Sequence, residues 1–323
     1  MTLSTAVSPV FFRTVADRKG APGALLLDAP DLLDPEFIGR TAALSGQIPC
    51  LFPASHPDAP ALGGAGWRAL PAAALCRVDD KLSAELVAPE AQWIDGDWCL
   101  AAPVKPTGAQ AASRTLALQL VERVARDADT HEIEALLRQD PALSYQLLKV
   151  VNSLGAGAGR RITSFAQALM ILGRQQLRRW LNLMLFAARD GDVRSGMLLA
   201  RVAMRARALE LLAKEHGCDK LTQEQAFMTG MFSLLGALFG MPLAEVLAPL
   251  SLGDAVQAAL LDHAGELGDL LALIELAERG DHAGVAARLA ALDLDPAAFN
   301  KVMLDATGWM LGAIKGSREG GRG

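Results

Sequence analysis

The chain has 323 residues, 51% of them hydrophobic and 21% charged, with a net charge of −5. That is enough for one large or two ordinary domains with real cores, and it excludes a mainly disordered chain. The mildly acidic balance also argues against a whole-chain nucleic-acid binder.

The start, MTLSTAVSPV, shows neither the basic nor the apolar part of a signal peptide. Short apolar runs follow, each ending in a turn signal: PVFF at 9–12, ALLLD at 24–28, IPCLF at 48–52, ALCRVD at 74–79 and WCLAAPV at 98–104. Helix-like pieces lie between them, at 31–44 and 79–87. The alternation predicts a small α/β domain over 1–105 with a largely parallel sheet. Asp28 and Asp79 stand at the ends of predicted strands, where they read as caps of the following turns. PVKPTGAQAAS at 103–113 suits a linker, centred on 106–112.

From residue 113 to 316 the pattern is helical throughout, with about ten short helices expected. Asp129 with Glu132 reads as a capping box, and Asp140–Pro141 as a helix start. Leu143, Leu147, Val150, Val151 and Leu154 share one face of that helix, which ends in Asn152–Ser153 and a glycine-rich turn. Asn and Ser bond backbone groups well, so the pair is expected to fix the helix end and to position Arg160 and Arg161. On that reading Asn152→Ala costs about 1–3 kcal/mol if the side chain is buried. Ser164 with Gln167 caps a helix that stops at Gly173. Thr222 with Gln225 caps one running through AFMTGMFSLLGALF, where Met231, Phe232, Phe239 and Met241 read as core rather than as a dimer face. WLNLMLFAA at 180–188 is too short to cross a bilayer, which takes about 20 residues. Asp295–Pro296 opens the last helix, and 317–323 is a glycine-rich tail.

The four cysteines, Cys50, Cys76, Cys99 and Cys218, are widely spread and read as reduced thiols in a cytoplasmic protein. No two of the five histidines stand at i,i+3 or i,i+4, and none belongs to an HExxH pattern. Each reads as a solvated surface histidine. There is no G-x-S-x-G elbow and no phosphate-binding G-x-x-x-x-G-K-[ST]. GAGAGRR at 155–161 follows a helix, which removes a dinucleotide-binding reading. The letters EAL at 134–136 fall inside a helix.

One charge pattern stands out. Residues 141–189 contain no Asp or Glu but hold Lys149, Arg160, Arg161, Arg174, Arg178, Arg179 and Arg189, seven cations in all. Five of them, Arg160, Arg161, Arg174, Arg178 and Arg179, flank predicted helix breaks, where helix N-termini and guanidiniums favour anions. The segment reads either as a docking face for an acidic partner, nucleotide or nucleic acid, or as a solvated face.

The stretch from about 135 to 190 resembles the HDOD family, the HD-related output domains of bacterial signalling proteins. The resemblance rests on Asp140-Pro141-Ala142-Leu143-Ser144, Leu147-Leu148, Asn152-Ser153, Ile162-Thr163-Ser164 with Ala168, and Leu172-Gly173. It continues more loosely to about residue 280. In related metal-dependent HD hydrolases a His-Asp pair would occupy the place of Phe232-Ser233-Leu234-Leu235. The resemblance therefore implies the fold of a phosphohydrolase without its metal site. Some HDOD proteins follow an EAL-type cyclic di-GMP phosphodiesterase domain, a barrel of about 250 residues. Residues 95–103 resemble its final strand, so 1–105 reads either as a shrunken, inactive EAL-like remnant or as an unrelated α/β domain.

The overall expectation is an α+β two-domain chain: a small α/β domain, then an all-helical HD-like domain over 113–316. It is expected to be a non-catalytic signalling protein, possessing no cofactor or metal, that binds other signalling proteins in cyclic di-GMP or two-component pathways. No membrane partner is expected, and a homo-oligomer is left open. The alternative is a nucleotide or nucleic-acid module using 141–189.

Overall fold

The computed structural model describes residues 7–103, 128–137, 192–248, 250 and 252–318, with isolated positions 116, 119, 120, 122, 123, 126 and 179. Six strands and two helices form the N-terminal part. They are β1 (Phe11–Ala16), β2 (Pro22–Asp28), α1 (Pro35–Ser45), β3 (Cys50–Pro53), α2 (Ala59–Gly64), β4 (Arg68–Leu70), β5 (Leu75–Arg77) and β6 (Trp93–Asp95). They make one sheet in the order β4-β3-β2-β1-β6-β5.

The sheet is mixed rather than largely parallel. β2–β3, β3–β4 and β5–β6 pair in parallel, but β1 runs antiparallel to both β2 and β6. For β1 and β2 the cause is the short link between them. Asp17 Oδ1 accepts the amides of Lys19 and Ala21 at 2.8 and 3.0 Å, and the Asp17 amide donates to the Ala21 carbonyl at 2.8 Å. So tight a connection can only return the chain as a hairpin. The run expected as a strand at 98–104 is instead a 3₁₀ turn at Trp98–Leu100, and the strand lies just before it. The helix-like piece at 79–87 is likewise only a 3₁₀ turn at Ala84–Leu86. α1 begins as Asp34–Pro35 requires: Asp34 Oδ1 accepts the amides of Glu36 and Phe37.

Among the described residues the helical part holds α3 (Thr130–Leu137), α4 (Ser195–Glu215), α5 (Lys220–Phe232), α6 (Leu235–Phe239), α7 (Leu243–Leu247), α8 (Asp254–Asp262), α9 (Gly265–Glu278), α10 (His282–Ala291) and α11 (Pro296–Arg318). α4 and α11, at 21 and 23 residues, exceed the short helices expected. The N-cap of α5 is Asp219, which accepts the Thr222 amide at 2.8 Å. Asp219 outcompetes Thr222 because its carboxylate stands in extended backbone one turn earlier. Glu132 does not close a capping box, since its carboxylate pairs with Arg123 at 2.6 Å.

α4 is the axis of the helical part. Gly230 of α5 packs on it so closely that a Cβ there would lie 2.5 Å from the Ala206 Cα. One buried cluster runs without a break from Phe11, Leu25 and Ile94 of the sheet into Leu198, Val202 and Leu209 of α4 and Phe299 and Met310 of α11. A smaller one, with Val15, Ala24, Leu26, Leu51 and Leu70, lies under the other face of the sheet. Met231, Phe232 and Phe239 are core, as expected. No described helix is long and apolar enough to cross a membrane.

Candidate functional site

The sheet meets the helices along a charged seam. Arg13, in the middle of β1, donates to Asp95 of β6 at 2.5 Å and lies 3.3 Å from Asp28 at the end of β2. Arg201 of α4 reaches across to Asp97 at 2.6 Å. One turn further on, Arg205 donates to both oxygens of Glu278 (2.9 and 2.5 Å), to Glu275 at 3.3 Å and to the Ser233 hydroxyl at 2.9 Å. The i,i+4 spacing of Arg201 and Arg205 places both on the side of α4 that faces the sheet and α9. Burial opposes both guanidinium charges, but it is outweighed, at Arg201 by Cys99 and then Glu278 and Asp97, and at Arg205 by Glu278 and then Glu275, so both pKa values lie above the usual arginine range.

Beside this network lies a cavity of about 60 Å³ lined by Arg13, Arg77, Asp95, Asp97, Arg201 and Glu278 among others. Ligand pockets run to roughly 300–1,000 Å³. This one holds about two waters or a small ion. Its three arginines face three acids. Arg77 in turn bonds Asp79 at 2.9 Å, and the Asp97 amide donates to Asp79 at 3.1 Å. Arg77, then that amide, hold the Asp79 carboxyl below the usual range. With charge balanced, the cavity is a joint between two parts rather than a cradle for a nucleotide.

Asp28 is more than a turn cap. It also meets His282 Nε2 at 3.1 Å, and the His282 ring stacks on Phe11 with centroids 4.2 Å apart. The expectation of solvated histidines is corrected here for His56 and His282, which are buried and half-buried; His131, His216 and His263 are exposed, the last two beside a carboxylate. His56 is buried and accepts the Asp58 amide, and His263 Nε2 lies 3.0 Å from Glu275. His216 Nδ1 lies 2.7 Å from Glu266, which also accepts from the Cys218 thiol at 2.9 Å. Fold geometry, not sequence spacing, makes these pairs, so single-chain motifs gave no sign of them. Burial, then Glu266, push the Cys218 thiol up to about 12, and burial does the same to Cys50. Both are held protonated at neutral pH while no cation is near.

Of the anion-binding candidates only Arg179 lies among the described residues. It donates to Glu210 at 2.6 Å and sits 4.4 Å above the Phe227 ring. Its charge is taken up inside the fold, which corrects its reading as part of an open binding face. Arg160, Arg161, Arg174 and Arg178 lie outside the described residues, as do Asp140, Pro141, Asn152, Ser153, Ser164 and Gly173. At the place of the expected missing His-Asp pair, Phe232, Leu234 and Leu235 are buried, and the Ser233 hydroxyl donates to Gly230 and accepts from Arg205.

A family profile for the HDOD domain matches residues 114–290, more than half of the sequence. The chain belongs to the HDOD family. It is 35% identical over 195 residues to the protein named cyclic di-GMP phosphodiesterase CdgJ from Vibrio cholerae, covering 60% of this chain and 45% of that one. It is 33% identical over 145 residues to the uncharacterized protein YuxH of Bacillus subtilis, covering 44% and 35%. The chain thus spans less than half the length of these two curated relatives. Among solved structures, an HDOD domain protein of unknown function from Geobacter sulfurreducens aligns with TM-score 0.40 and 18% identity, over 66% of this chain and 93% of that one.

These relatives correct one expectation. The expectation of a non-catalytic protein rests on the HDOD resemblance and on the absence of a metal or nucleophile motif in the linear sequence. A relative of this similarity bears the name of a phosphodiesterase, and the HD superfamily to which HDOD domains belong contains metal-dependent hydrolases. A linear search is a weak exclusion, since chemistry-bearing side chains converge from distant segments, as His216, Cys218 and Glu266 do here.

Proposed function

We propose that this chain is a signalling protein of cyclic di-GMP-linked regulation, whose HDOD body relays between the N-terminal sheet and other signalling proteins. The observation that carries the reading is the 35% identity over 195 residues to the relative named for cyclic di-GMP hydrolysis. The seam supports the relay: Arg201 of α4 pairs with Asp97, and His282 of α10 meets Asp28 at the end of β2, so the helices and the sheet are held by charged contacts through which a change on one side can bear on the other. Descent of the sheet from an EAL-type domain is part of the same proposal, supported by the resemblance over 95–103.

The test is the cellular cyclic di-GMP content, by mass spectrometry, in cells lacking the gene and in cells given it back. A change on deletion that the intact gene reverses is the expected result. Unchanged cyclic di-GMP and unchanged dependent behaviour overturn the reading. Purified chain incubated with cyclic di-GMP and Mg²⁺ or Mn²⁺ then separates direct turnover from action through a partner.

A further inference from the structure

Away from the seam, three helix ends meet at one corner. α4 closes with a full Schellman turn: the Gly217 amide donates to Lys214 at 3.1 Å, and the Cys218 amide donates to Ala213 at 2.9 Å. Gly217, at φ +86, supplies the left-handed residue this turn needs. The Cys218 carbonyl is held by Gln223 Nε2 at 2.8 Å, and Asp219 then caps α5. The backbone of His216-Gly217-Cys218 is thereby fixed, and both side chains reach Glu266 in the first turn of α9.

The result is a nitrogen, a sulfur and a carboxylate oxygen within 4.8 Å of one another. We propose that His216, Cys218 and Glu266 form a binding site for a divalent transition metal of the Zn²⁺ class, with water as the fourth ligand.

The donor set selects the metal. A thiolate and an imidazole suit zinc and its neighbours and do not suit Mg²⁺ or Ca²⁺, which take oxygen. Metal–ligand distances of about 2.0–2.3 Å in a tetrahedron put ligand atoms roughly 3.3–3.7 Å apart. The present separations of 2.7 and 2.9 Å to Glu266 need only small side-chain rotations to open to that range. Charge balances as well. Thiolate and carboxylate together neutralise a dication, the thiol proton leaving to solvent as the sulfur binds. Access is open, with the His216 and Glu266 side chains 32% and 44% exposed. The rival account is a hydrogen-bonded latch between helix ends with no affinity for metal.

Co²⁺ distinguishes the two. Titrated into the purified full chain, it is expected to give a near-ultraviolet thiolate-to-cobalt charge-transfer band that Zn²⁺ then abolishes. Cys218→Ser should remove the band, while Cys76→Ser, at the other half-exposed cysteine, should keep it. Glu266→Gln and His216→Gln should each weaken Co²⁺ binding by about tenfold or more, since even outer partners of metal ligands carry that much. The thermal midpoint of each variant without metal reports that it is folded. No band with the parent chain, or a band that survives Cys218→Ser, overturns the proposal.

Discussion

Arg205 and Cys218 belong to two polar clusters, one along α4 and one just past its end, and their surroundings differ in kind. At the seam every cation has its acid: Arg205 faces Glu275 and Glu278, Arg201 faces Asp97, and Arg13 faces Asp28 and Asp95. At the corner, His216, Cys218 and Glu266 include no permanent cation, and two of the three are exposed. The first arrangement is complete in itself and resists change. The second lacks a positive charge that something else can supply. Enclosure and charge balance mark a structural joint, and a shortage of cations at an open corner marks a place for a ligand.

The largest effect that would break this contrast is at Arg205. Arg205→Ala leaves Glu275 and Glu278 facing each other without their cation and should cost about 3–5 kcal/mol in denaturant unfolding. A loss below about 1 kcal/mol would show the seam to be ornament. Next comes the helix crossing that carries both clusters. Gly230→Ala pushes a methyl into the Ala206 backbone and should cost about 2–3 kcal/mol, read as a lower thermal midpoint. Asn300 comes third. Its buried amide accepts from Val10 at 2.8 Å and donates to Ser8 at 2.9 Å, so Asn300→Ala should cost about 1–2 kcal/mol. The smallest effect is expected at Arg40, whose pair with Asp305 at 3.7 Å is exposed. Arg40→Ala should change stability by less than about 0.5 kcal/mol, and a larger loss would mean that exposure is a poor guide to which ion pairs matter here.

How much of this was legible depends on the range of the interaction. Asp34–Pro35 and Asp295–Pro296 announce their helices because cap and first turn are adjacent in sequence. β4, β5 and β6 have three residues each, too few to show alternation; only β5 lies inside a longer apolar run, ALCRVD, that marks it. β1 was placed, but its direction depended on recognising Asp17 to Ala21 as a tight turn. The seam joins Arg205 to Glu278 across 73 residues, and the corner joins Cys218 to Glu266 across 48. No spacing rule links such positions. His216 and Cys218 stand two apart in the sequence, a spacing that belongs to no common metal-site motif, and Glu266 comes to them only through the fold. The basic segment was the clearest signal in the sequence, and the one member described, Arg179, turns inward to Glu210.

The clasp of Asn300 on Val10 has a consequence for how the protein is made. The two residues stand 290 positions apart, and β1 also awaits β6 before its second edge is paired. All six strands lie within residues 11–95, so the sheet can pair early, but its leading end stays unclasped until α11 has been synthesised. Sheet and helices are therefore expected to lock together only after translation.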